Sequence, residues 1–221
     1  MEQINTNVLP KDRIAILGPS GQGKSTLLRI LSTLESMDGG NLSLHGRLAA
    51  SWGPSEWRKK VCYVPQQQVM LPTTVADNLA LTSKLHQCNF DKPLALSLME
   101  QVGLGDLNWA QKAADLSGGQ KQRVQLVRSM LLGADILLLD EVTSALDSQS
   151  KQAVEDTLMN WLEERGGGLI WVTHEMEQAK RVGNRFWYLN RGSLTESVPE
   201  ETVEWTDSFS VEGGMDSTCL P

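Results

Sequence analysis

Ile14-Ala15-Ile16-Leu17-Gly18-Pro19-Ser20-Gly21-Gln22-Gly23-Lys24-Ser25-Thr26-Leu27-Leu28 is the stretch that decides the fold of this 221-residue chain. Ile14 to Leu17 is a short apolar run of the kind that forms a strand buried on both faces. Residues 18–25 fit the pattern G-x-x-x-x-G-K-[ST], and Lys24 to Glu35 then places Leu27, Leu28, Ile30, Leu31 and Leu34 at helical spacing. A glycine-rich loop between a strand and a helix has a physical use. Without Cβ atoms in the way, its backbone N–H groups close on phosphate oxygens, and the helix N-terminus adds its positive dipole end. Gly18, Pro19, Ser20, Gly21, Gln22, Gly23, Lys24, Ser25 and Thr26 are therefore the expected nucleotide-binding residues. Lys24 is expected to reach the β and γ phosphates, and Ser25 to offer a hydroxyl to Mg²⁺.

Further along the chain, short apolar runs alternate with longer amphipathic stretches, the signature of βα units around a mostly parallel sheet. Strands are expected at Val61 to Val64, Ile136 to Leu139, Leu169 to Val172 and Phe186 to Leu189, and a second long helix at Lys121 to Leu132. Gly39-Gly40-Asn41 suggests a turn into an exposed strand at Leu42-Ser43-Leu44. The stretch from about 70 to 125 is rich in helical pattern and poor in strands, so it reads as an inserted helical subdomain. The second half of a phosphate-loop site is an acid at the end of a buried strand, and Ile136-Leu137-Leu138-Leu139-Asp140-Glu141 supplies it. Asp140 is expected to hold Mg²⁺, directly or through water, and Glu141 to polarise an attacking water.

Composition excludes other classes. No apolar run approaches the roughly 18 residues that span a bilayer, and the first residues have neither the basic flank nor the apolar run of a secretion signal, so a cytoplasmic location is expected. Cys62, Cys88 and Cys219 form no CxxC pair, which argues against a cysteine metal site and a disulfide framework. Of the net charge of −7, six acids and no Lys or Arg fall in residues 199–221. This acidic stretch reads as a tail, and a domain over residues 1–198 precedes it. The near-neutral remainder carries no footprint for nucleic acid.

Leu116-Ser117-Gly118-Gly119-Gln120, about twenty residues ahead of Asp140, resembles the signature sequence of ATP-binding cassette (ABC) ATPases. Ser117, Gly118 and Gly119 at a helix start make a second anion cradle with hydroxyl and backbone donors. The resemblance extends over about residues 9 to 195. It implies an ABC-type P-loop NTPase core that binds ATP, and a head-to-tail pair of copies in which the signature (Ser117, Gly118, Gly119, Gln120) of each closes over the nucleotide of the other. Gln66, after Tyr63-Val64-Pro65, resembles the glutamine that contacts Mg²⁺ or the attacking water and senses a membrane partner; Gln67 and Gln68 leave the register slightly open. Ser144-Ala145-Leu146-Asp147 is similar to the loop that crosses the dimer interface, with Asp147 as its acid. His174 resembles the switch histidine that bonds the γ-phosphate.

Two departures stand out. The family carries an aromatic residue that stacks on adenine, and the seventeen residues ahead of Gly18 contain none, so weak discrimination between ATP and GTP is expected. Val142 stands where many relatives have proline. The seven tryptophans are scattered as packing residues would be, with Trp52 and Trp57 the two that could approach the nucleotide or a coupling face. The resemblance implies the ATP-hydrolysing subunit of an ABC transporter with a separately encoded membrane permease docking near Gln66 and Val69 to Thr74. The wording around Asp140 and His174 is similar to the ATPase of a small bacterial iron-export system. A soluble ABC scaffold of iron–sulfur cluster assembly is the alternative; a nucleic-acid-associated ABC protein and a P-loop kinase fit less well.

Overall fold

The computed structural model describes residues 4–197, so the acidic stretch 199–221 lies outside the described residues. Elements follow the expected alternation: β1 (Arg13–Leu17), α1 (Lys24–Leu31), β2 (Ser43–Leu44), β3 (Arg47–Leu48), α2 (Pro54–Lys60), β4 (Val61–Val64), α3 (Val75–Leu79), α4 (Leu81–Leu85), α5 (Lys92–Gln101), α6 (Gly118–Leu131), β5 (Ile136–Asp140), α7 (Ser148–Arg165), β6 (Gly168–Val172), α8 (Met176–Val182), β7 (Arg185–Asn190) and β8 (Ser193–Ser197). The main sheet runs β4-β5-β6-β1-β7-β8; its first five strands are parallel, and β8 returns antiparallel on β7. All five expected core strands are present within one residue of their expected ends.

Alternation along the strands sorts side chains into two layers. Leu137, Leu139, Leu169 and Trp171 pack with α5, α6 and α7 residues such as Met99, Val127, Leu158 and Trp161. On the opposite face Ile14, Ile16, Leu138, Ile170, Val172 and Trp187 pack with Leu27 and Leu28 of α1 and Trp57 of α2. A sheet covered on both faces explains why these strands read as unbroken apolar runs.

Three boundaries differ from expectation. Helix α1 ends at Leu31 rather than Glu35, because Thr33 takes a left-handed φ of 56° and the amides of Leu34 and Glu35 both turn back to the Arg29 carbonyl. Leu34, expected at helical spacing with Leu27 and Leu31, lies beyond the helix and is 50% exposed. Helix α6 starts three residues early, at Gly118, on a capping box in which the Gln120 amide donates to Ser117 Oγ (3.2 Å) and the Ser117 amide donates to Gln120 Oε1 (2.9 Å). The exposed strand after Gly40 shrinks to a two-residue ladder between β2 and β3.

From Pro65 to Asp135 the chain is helical and adds no strand to the sheet. Within it, residues 73–76 and 109–113 are tied together by backbone bonds from the Val75 amide to the Gln111 carbonyl, Ala76 to Trp109 and Ala113 to Thr73. Trp57 is core, 1% exposed, with Nε1 donating to the Leu31 carbonyl at the far end of α1, while Trp52 stacks under the Arg47 guanidinium 4.5 Å from its ring centre. Neither indole is bonded to the glycine-rich loop.

A phosphate loop facing two strand-end acids

Strand β1 delivers the glycine-rich loop to one end of the sheet. Gly18 has φ 138°, and a Cβ there would sit 2.1 Å from the Leu189 carbonyl oxygen of β7. No side chain fits that close approach. Gly23 turns the chain into α1 with φ 92°, again a left-handed conformation that suits glycine. The loop curls round its own lysine: Lys24, 5% exposed, donates to the Gly18 carbonyl (2.7 Å) and the Pro19 carbonyl (2.9 Å). Burial pushes the Lys24 ammonium below its ordinary range, against the opposing pull of Glu141 and Asp140. Pro19, Ser20 and Gly21 are exposed. Gln22 is spent on the scaffold, its Oε1 accepting from the Arg191 amide at the β7–β8 turn (2.6 Å). Thr26 accepts a long 3.4 Å bond from Arg29.

The parity of β5 decides where its acids go. Asp140 shares the face of Ile136 and Leu138, the α1 side, and there Ser25 Oγ donates to its Oδ1 at 3.0 Å. The carboxylate is 3% exposed, and its second oxygen accepts from the Tyr63 hydroxyl at 2.7 Å. Sequence reading passed Tyr63 over except as a neighbour of Gln66. The signal was available: Tyr63 pairs with Leu138 across the β4–β5 ladder, so it lies on the same face as Asp140 two residues on. Burial, followed by the bond to Asp140, drives the Tyr63 phenol far above its usual range.

Glu141, just past the strand, adopts a left-handed φ of 49°. Its carboxylate is bracketed: Gln66 Nε2 donates to Oε2 at 2.8 Å, and His174 Nε2 meets Oε1 at 2.6 Å. Gln66, rather than Gln67 or Gln68, is therefore the glutamine at this site. Its loop is clamped from α6, where Gln125 joins the Val69 amide to the Pro65 carbonyl and Arg128 donates to the Val69 carbonyl (2.7 Å). Seven expected residues, Gly18, Gly23, Lys24, Ser25, Gln66, Asp140 and Glu141, thus meet His174 around one end of the sheet.

The signature residues do not join them. Ser117 and Gly118 are exposed at the start of α6, and the side chains of Ser117 and Gln120 bond each other's backbone amides rather than the phosphate loop. The Gln120 side chain is occupied by the capping box, whereas the Ser117 hydroxyl keeps its proton free to donate. Asp147 is likewise outward. It caps α7 by accepting from the Ser150 amide (2.9 Å), a bond that holds its carboxyl below the usual range.

Val142, in the proline position of many relatives, is buried in the core at 1% exposure. Beneath Glu141 and His174 lies a buried polar network that sequence reading did not anticipate. Gln178 Nε2 donates to Thr143 Oγ1 (2.8 Å) and Glu155 Oε1 (2.8 Å), and Thr173 Oγ1 donates to Gln178 Oε1 (2.6 Å). Arg181 completes it with two bonds to Glu155, at 2.5 and 2.8 Å.

A parallel sheet with a glycine-rich loop wrapped around a lysine, a serine against a strand-end aspartate and a glutamate beyond it defines a P-loop nucleoside triphosphatase. The sequence pattern of ABC transporters matches residues 1–144 of the chain. The chain is 39% identical over 189 residues to a Bacillus subtilis protein, YjkB, named as an ABC transporter ATP-binding protein, covering 86% of this chain and 75% of that one. It is 34% identical over 178 residues to the Escherichia coli "Probable iron export ATP-binding protein FetA", covering 80% and 79%. Among solved structures, the ATP-binding cassette MJ0796, a dimer in a post-hydrolysis state bound to ADP and Pi, superimposes with a TM-score of 0.79 at 29% identity over 88% of each chain. This chain belongs to the ABC transporter family, as one of its ATP-binding, ATP-hydrolysing cassettes.

Proposed function

We propose that the chain powers a transporter whose membrane-spanning part is a separate protein, working as a pair of copies that close around two nucleotides and reopen after hydrolysis. The bracketed carboxylate of Glu141 is the observation that carries this reading. Held by Gln66 on one side and His174 on the other, it is aimed rather than free, as a group that must take a proton from an attacking water has to be. The ammonium of Lys24 and the backbone N–H groups of the loop hold the phosphates, and Glu141 receives a proton of the water as its oxygen adds to the γ-phosphorus while the bond from that phosphorus to the β–γ bridging oxygen breaks, so that ADP and inorganic phosphate leave. His174 orients that carboxylate through its Nε2.

The donors around Asp140 suit Mg²⁺. Ser25 and Gln66 offer neutral oxygens and Asp140 a buried carboxylate, a hard-oxygen set with too few ligands to enclose a cation unless phosphate oxygens supply the rest. Among the described residues no three His, Cys, Asp or Glu side chains cluster to hold a metal by themselves. Such a cation neutralises charge on the β and γ phosphates when bound.

The outward-facing Ser117, Gly118, Gly119 and Asp147 support a second copy as their target, since they have no nucleotide partner within the chain. A two-fold pair makes both surfaces complete at once. The stretch from about 70 to 125 acts as a helical subdomain, and the exposed Val69 (60%) and Leu71 (38%) beside the clamped Gln66 loop suit docking of a permease helix. No described helix is long and apolar enough to cross a membrane, so attachment to the cytoplasmic face runs through that partner. Similarity to FetA favours metal export as the cargo, although cargo is read by the membrane subunit. The test is phosphate release from ATP with and without Mg²⁺. Activity that needs Mg²⁺ and is lost in Glu141→Gln and Lys24→Met supports the reading; full activity in Glu141→Gln overturns it.

A further inference from the structure

We propose that Gln178 is a positioning residue that locks the Glu141 and His174 loops in register, so that the carboxylate and the imidazole meet. It rests on the hydrolytic reading above and goes beyond it. Gln178 is 2% exposed and lies on α8, one turn before Arg181, which anchors the same network from the other side of Glu155. Its amide nitrogen holds Thr143, two residues after Glu141, and its amide oxygen holds Thr173, one residue before His174. The second proton of the same amide goes to Glu155 of α7, itself 2% exposed and fixed by Arg181. Both amide protons donate and the amide oxygen accepts, so a flipped amide would face donor to donor and acceptor to acceptor, which leaves one orientation.

No ladder bond of the sheet can do this work. Strands β5 and β6 are in register up to the Asp140–Val172 pair, and beyond it only the Glu141 amide to Val172 carbonyl bond (3.2 Å) joins the two loops through backbone. Glu141 also stands in a left-handed conformation that a glutamate does not favour by itself. A buried side-chain amide bridging the two loops supplies the missing constraint. Thr173 strengthens it by accepting from the Glu175 amide, which turns the chain just past His174.

Gln178→Met keeps the volume and removes the polar bridge. The expected result is a kcat at least tenfold lower with the ATP dissociation constant within about twofold of wild type, since the phosphate loop is untouched. A second readout separates positioning from general loosening. The His174 imidazole resonance, assigned by its loss in His174→Ala, is expected to move when Glu141→Ala is introduced into the wild type and to respond much less when Gln178→Met is already present. Should Gln178→Met fold poorly, Thr143→Val removes one arm of the bridge isosterically and is expected to lower kcat in the same way. A kcat within twofold of wild type for the folded variant, or an equal His174 response in both backgrounds, overturns the proposal. Loss of activity in Gln178→Met while Glu141→Gln remains fully active would instead overturn the hydrolytic reading on which it rests.

Discussion

Replacing Tyr63 by phenylalanine removes one hydroxyl and tests how Asp140 is held. The Asp140 carboxylate is 3% exposed with one oxygen bonded to Ser25 and the other to Tyr63 at 2.7 Å. A hydrogen bond to a charged group contributes about 1.5–3 kcal/mol, and because Tyr63 is only half-buried, water can replace part of it, so a loss of about 1–2 kcal/mol is expected. At roughly 2–4 °C per kcal/mol for a chain of this size, the nucleotide-free protein melts roughly 2–8 °C lower. Alkaline pH supplies an independent arm. The Tyr63 phenol is raised in the folded state, so the stability it brings is complete below the unfolded tyrosine value of about 10 and is lost as pH climbs towards the folded value. Tyr63→Phe is therefore expected to show a shallower loss of stability above pH 10 than wild type, by denaturant titration at several pH values. A melting temperature within 1 °C of wild type together with an unchanged alkaline slope would refute the bond and the account of Asp140 built on it.

Other expectations follow from single contacts. Gly18→Ala places a Cβ 2.1 Å from the Leu189 oxygen at φ 138°, and should cost on the order of 3 kcal/mol or more and abolish ATP binding. Gly21→Ala meets nothing within 4 Å and bears only its positive φ, a cost of about 1 kcal/mol, so calorimetry and nucleotide binding should rank the two variants in that order. Burial pushes the Cys62 thiol up to about 11, whereas Cys88 is exposed. In a Cys219→Ser background at pH 8, a thiol reagent should modify Cys88 rapidly and Cys62 at least about a hundredfold more slowly until denaturant is added; equal rates would contradict the packing around β4.

Most of the fold was legible because the decisive strands are buried on both faces, and such strands announce themselves as apolar runs such as Leu137–Leu139 and Leu169–Val172. Helix α1 was overextended because periodicity cannot see a single left-handed residue: Leu34 keeps the apolar phase although Thr33 has already broken the helix. The phosphate loop and the two acids were legible because backbone spacing alone fixes their geometry. Gln178 was not. Its role depends on α7, α8 and two strand-end loops arriving at one place, a long-range arrangement that no local pattern records. Tyr63 falls between the two, readable from strand parity once the register of β4 against β5 is known. Gln120, read from the sequence only as part of the signature, also closes the capping box of α6, a local role its S-x-x-Q spacing from Ser117 could have shown.

The central claim is that two copies share their nucleotides, each supplying the phosphate loop to one site and Ser117 to the other. Light scattering after size exclusion of Glu141→Gln, with and without MgATP, measures it most directly. The account predicts a monomer without nucleotide, a dimer with MgATP, and a monomer again when Ser117→Arg is added. A Glu141→Gln protein that binds ATP yet stays monomeric, or a dimer that forms without nucleotide and ignores Ser117→Arg, would contradict it.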